Sequence, residues 1–159
     1  MVILHLTQKL LHLVGSPTTP TSTSTTLLGD WTGTLLHVGH RRYVLLVSEH
    51  SRLPVLMPGR DLRSLPENFP RALAEVLLGI GLPMAAVEQE VEAASSVALA
   101  TTNNRSLLGT LNDFSFLLSE RLLGHPDAHL VDAALWLSET PVGPLAYERP
   151  RDLVHRLLG

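Results

Sequence analysis

The chain of 159 residues contains no cysteine, and of its 12 basic residues only Lys9 is a lysine. Without thiols, disulfides, zinc-thiolate centres and cysteine nucleophiles are excluded, and nothing ties the chain to an oxidising compartment; a cytoplasmic location is the expectation. Aromatic residues are scarce at 4%, so leucine has to carry the core. Uninterrupted apolar runs are short as well. The longest candidate, "ALAEVLLGIGLPMAAV", holds Glu75, Gly79, Gly81 and Pro83 and falls short of the roughly 18 apolar residues of a membrane span, so no membrane association is expected. The opening "MVILHLTQKLLHLVG" lacks a positive leading region and is interrupted at Gln8 and Lys9, which marks it as part of the fold rather than a leader. A net charge of -3 argues against general nucleic-acid binding, because phosphate neutralisation supplies that affinity. The nucleophile elbow, the P-loop and the dinucleotide fingerprint are all missing, so hydrolase, nucleotide-triphosphatase and dinucleotide readings lack their motifs. No cofactor and no metal are called for.

What is present suits one domain over residues 1–159, since 45% hydrophobic and 17% charged content in a chain of this length fills one core. "VILHL" followed by "TQKLLHLV" forms a strand and a short helix that Thr7 can cap and Gly15 closes. The Ser/Thr/Pro-rich stretch 16–26 has no apolar face and is expected to be a mobile, dispensable loop. "GTLLHV", "RYVLLVSE" and "LPVLMPG" follow as three strands of an antiparallel meander. Helical spacing runs from Pro66 to about Glu92, broken at "GIGLP". "SVALATT" is a further strand, and helices follow at about 104–123, 126–137 with Pro126 in the first turn, and 150–158 with Pro150 near the start. The order implies α+β architecture, an antiparallel β-meander packed against several helices.

The most unusual segment is "TTNNRSLLGTLNDF", Thr101 to Phe114. Asn103 or Asn104 suits a helix N-cap. At 100° per residue Leu107, Leu111, Phe114, Leu118 and Leu122 form one apolar stripe. Arg105, Gly109, Asn112 and Phe116 form a second, which predicts a helix covered on two sides, with Gly109 at a close contact where alanine would not fit. Two readings attach to this polar stripe. Arg105 pairs with a carboxylate and Asn112 bonds a neighbouring loop, or the helix terminus with Asn104 and Arg105 binds an anion that Asn112 and Asp113 orient.

Together with "LTQKLL", Trp31 before "RRYVLLVSE" and "PVGPLAYERPRDLVHRLL", this segment resembles a family of short prokaryotic proteins of unknown function. The family's core motif is similar to N-N-R-S-x-L-G-x-M-N-D. Leu111 stands where the family has Met, and "WTGTLL" where it tends toward Trp-His-Ala-Asn. The resemblance implies a single-domain mixed α/β fold and supplies no reaction, substrate or catalytic residue.

Elsewhere, "HVGHRRY" gathers His37, His40, Arg41 and Arg42 at a hairpin turn, a candidate phosphate or carboxylate contact through His37 and Arg42. "GHPDAHLVD" spaces His125 and His129 by one helical turn but offers no third metal ligand, and "EQEVE" presents a solvated acidic face. The sequence therefore describes a non-catalytic binding or protein-interaction module whose partner is a protein or a small anionic ligand. The alternative is a metal-independent hydrolase or transferase acting on an anionic substrate at the Arg105 helix terminus, with His37 or Asp113 as general base.

Overall fold

The computed structural model describes residues 1–20, 22–125 and 127–159. Five strands, β1 (Val2–Leu6), β2 (Trp31–Val38), β3 (Arg41–Ser48), β4 (Pro54–Pro58) and β5 (Val97–Thr101), form one sheet in the order β4-β3-β2-β1-β5. Only half of it is the expected meander. The β2-β3-β4 portion is antiparallel, but β1 lies parallel to both β2 and β5, so the sheet is mixed. Parallel neighbours need crossover connections. Helix α1 (Gln8–Val14) and the loop after it connect β1 to β2; α2 (Leu65–Ile80) and α3 (Met84–Ala93) carry the chain from β4 to the opposite edge.

Every residue of β3 from Tyr43 to Ser48 is buried, which requires cover on both faces because side chains alternate. On one face Trp31 meets Phe69 of α2 edge to face, with ring centroids 5.2 Å apart. On the other lies α4 (Arg105–Gly124), whose buried Leu107, Leu111, Phe114, Leu118 and Leu122 pack on β2 and β3. Helix α5 (Leu130–Leu137) packs on β4 and touches both α2 and α4. It begins later than expected, because 127–129 are not helical; the expected first-turn role of Pro126 lies outside the described residues. Helix α6 (Pro150–Leu158) starts at its proline. Thr7 sits at the head of α1 but its side chain makes no capping bond; its N–H goes instead to the Gly33 carbonyl, 3.0 Å away.

The 16–26 segment, which includes the undescribed Thr21, is tied to the sheet at two points. Thr18 exchanges bonds with the edge strand, its N–H donating to Leu99 O (2.9 Å) and its Oγ1 accepting from Leu99 N–H (2.8 Å). Thr25 does the same with Met1, whose ammonium donates to Thr25 Oγ1 at 2.7 Å. Capping an exposed strand edge in this way uses hydrogen-bonding groups rather than apolar ones, which a search for apolar periodicity passes over.

Glu90, read as part of a solvated acidic face, is 2% exposed. Its two oxygens accept the N–H groups of Leu27 (2.8 Å) and Leu28 (3.0 Å), anchoring the end of the long loop to α3. Burial pushes its carboxyl above the ordinary carboxylate value against the pull of those two bonds. Glu90→Ala leaves both N–H groups without an acceptor, the one on Leu28 buried, and is expected to lower stability by about 1–3 kcal/mol. Denaturant unfolding checks this, and unchanged stability would mean that water replaces the carboxylate.

Candidate functional site

Helix α4 begins as expected. Asn104 is the N-cap, its Oδ1 accepting from Leu107 N–H at 3.1 Å. The second stripe of α4 is where the structure departs from expectation. Arg105, Gly109, Asn112, Asp113 and Phe116 are all exposed, and a methyl group built on Gly109 would meet nothing within 4 Å. This face looks into solvent, so the helix is covered on one side only. Arg105 makes no hydrogen bond or ion pair with a described residue, which removes the buried-pair reading. Arg105 and Asp113 are two helical turns apart, and His37 lies near the far end of β2, opposite Arg42. No cavity described below gathers these three, so the sequence-level catalytic constellation does not assemble.

Two polar arrangements were not anticipated. At the end of the sheet where β1 and β5 finish, His5 bridges three segments. Its Nδ1 donates to Thr101 O (3.1 Å) and its Nε2 to Asp30 Oδ2 (3.1 Å). A carbonyl and a carboxylate can only accept, so this geometry requires a proton on both ring nitrogens. The arrangement favours the imidazolium, and the His5 pKa is raised, first by the Asp30 hydrogen bond, against the opposing effect of burial. Burial alone would push Asp30 up; the bonds from His5, the Ile3 N–H and Ser24 outweigh it and hold the carboxyl below its ordinary value. With both nitrogens engaged, His5 has no lone pair to offer a substrate, so it braces the strands.

The second arrangement is a groove beside β4. Gly59 donates its N–H to Arg42 O at 2.8 Å, and a Cβ on Gly59 would lie 2.5 Å from the Arg42 backbone carbon. Only glycine lets the chain pass so close, and the approach places Arg60 beside Arg42. A cavity of about 730 Å³ results, lined by His40, Arg41, Arg42, Arg60 and a single carboxylate, Asp127. Arg41 reaches Asp127 at 3.7 Å; Arg42 and Arg60 have no ion-pair partner among the described residues. A larger neighbouring cavity of about 760 Å³ shares Pro58, Arg60 and Leu130 and continues over apolar Leu56, Met57 and Val76 and acidic Asp61, Glu75 and Asp132. Of the sequence candidates, the structure brings Arg42 into this site and leaves His37 out. Arg60 was missed, although "MPGR" carries the signal, a glycine directly before a basic residue at a strand end.

His125 and His129 fall outside any common helix, at the end of α4 and the start of α5. Among the described residues no three His, Asp or Glu side chains gather as a metal site, and no helix is long and apolar enough to cross a membrane.

The chain belongs to a family described as a domain of unknown function, DUF6933, whose model matches residues 3–153. No curated protein and no solved structure matches it.

Two expectations follow. Gly109→Ala should stabilise the protein by about 1 kcal/mol, the gain in helix propensity at an open position; a lower thermal midpoint would show that this face is covered in solution. The His5–Asp30 pair should stabilise most between the ordinary values of its members, 3.8 and 6.5. Its contribution falls as pH rises through the raised His5 value and as pH drops through the depressed Asp30 value. Unfolding free energies of the protein and of Asp30→Asn, compared across pH, should differ most inside that window. A difference independent of pH overturns the ion-pair assignment.

Proposed function

Since the family assigns no activity, we propose from the site itself that this domain is a cytoplasmic binding module for an organic anion, its charged group held in the basic cavity and its body lying along the groove. The observation that carries this reading is the pairing of Arg42 and Arg60, two exposed guanidiniums without carboxylate partners, at the mouth of a cavity of about 730 Å³. Guanidinium groups recognise phosphate and carboxylate through parallel N–H donors, and His40 lines the same cavity. The adjoining cavity sets buried Leu56, Met57 and Val76 beside Asp61, Glu75 and Asp132, so it suits a ligand remainder that carries no negative charge, since binding sites combine apolar lining with a few placed polar groups. A hydrolase or transferase at the Arg105 terminus finds less support, because Arg105, Asp113 and a histidine do not converge.

Pyrophosphate serves as a probe for the charged end. Titration should shift the backbone amide resonances of residues 40–43 and 58–60 saturably, and Arg42→Ala with Arg60→Ala should abolish the effect without lowering the thermal midpoint, as both side chains are exposed. Uniform shifts that scale only with ionic strength would overturn the proposal.

A further inference from the structure

Arg52 lies in the turn between β3 and β4, at the opposite end of β3 from Arg42. It is 7% exposed. Its Nη2 donates to Ser106 Oγ in the first turn of α4 at 3.0 Å, whereas Nε and Nη1 are buried with no hydrogen-bond partner. No carboxylate is paired with it among the described residues. The nearest acid in electrostatic terms, Glu49, has Oε2 accepting from Asp30 N–H at 3.3 Å. A buried cation meeting one neutral hydroxyl is costly unless a further acceptor completes it.

The helix terminus it touches is open in the same sense. Asn104 accounts for two of the four leading N–H groups of α4, its Oδ1 taking that of Leu107 and its carbonyl that of Leu108. The N–H groups of Arg105 and Ser106 have no acceptor among the described residues. Ser106 Oγ already accepts from Arg52, which leaves its own proton free to donate away from the guanidinium. Ser106, Asn103 and Arg105 are exposed, so solvent reaches this turn even though the guanidinium is covered.

We propose that the first turn of α4 and Arg52 form a second site, for a small oxyanion such as inorganic phosphate or the carboxylate end of a ligand. The donors grouped there are the Arg52 guanidinium, whose Nη2 reaches Ser106 Oγ, the Ser106 hydroxyl and two helix N–H groups at the positive end of the helix dipole. All of them donate, so an oxyanion at the exposed turn accepts from the hydroxyl and the helix N–H groups while the buried guanidinium behind Ser106 adds its charge. Arg52 lines neither of the large cavities. It is independent of the basic groove, and either can exist without the other.

The test uses the Arg42→Ala/Arg60→Ala protein, in which the groove is disabled. Inorganic phosphate and acetate are titrated separately at constant ionic strength while the amide resonances of Arg105 and Ser106 are followed. Both resonances should move saturably with at least one of the two anions. Ser106→Ala, a change at an exposed hydroxyl, should weaken the affinity several-fold, and Arg52→Met, which keeps the apolar stem, should abolish it. Should Arg52→Met not fold, the Ser106→Ala comparison still decides. No saturable shift with either anion would assign the orphan nitrogens to water and overturn the site, and so would an affinity unchanged in Ser106→Ala.

Discussion

The burial of β3 on both sides is the constraint from which the rest of the architecture follows. A strand with apolar side chains pointing both ways cannot sit against solvent, so Tyr43 to Ser48 demand a helix layer above and another below. Helix α2 supplies one through Phe69 on Trp31, and α4 supplies the other through its leucine stripe. With the faces occupied, polar side chains gather at the two ends of the sheet and along the β4 edge. The basic groove stands at the end where β3 begins. The His5–Asp30 brace and the Arg52 turn stand where it finishes.

The parallel part of the sheet adds its own logic. Strands β1 and β5 run side by side, yet α1 follows the first onto the α2 face and α4 follows the second onto the opposite face. Chain ends that diverge in this way leave a crevice beyond the carboxyl ends of the strands, the usual place for ligands in such sheets. Here His5 spans that point, bonding Thr101 at the end of β5 and Asp30 ahead of β2. The brace fixes the point from which the chain turns into α4, so the orientation of the α4 terminus depends on it.

Much of this was legible in the sequence, and what was not has a common cause. Pattern and turn signals located the five strands and six α-helices among the described residues, and the Asn104 cap and the Leu107-to-Leu122 stripe appeared as read, because each is decided by residues close together in the chain. Strand pairing is not local: nothing within "VILHL" says that its neighbours will be parallel. Burial of polar groups is not local either. Glu90 resembles Glu88 and Glu92 until the loop bearing Leu27 and Leu28 arrives. Gly109 misled for the converse reason. A glycine inside a helix implies a close neighbour when that face is packed, and this face meets none.

The three arginines that matter most illustrate two ways of holding a cation. Arg42 and Arg60 stay in water, where a guanidinium is solvated at no cost to the fold. Arg52 has surrendered its water, and burial pulls its guanidinium below the ordinary value. An arginine tolerates this better than a lysine because its charge is delocalised and weakly hydrated. Its retention of charge then leaves donors seeking an acceptor. The local fold supplies one oxygen, on Ser106, in a turn of α4 whose Arg105 and Ser106 N–H groups have no acceptor among the described residues. Two sets of unsatisfied donors meeting at one turn are explained together by a single acceptor of negative charge, and separately only by unrelated waters.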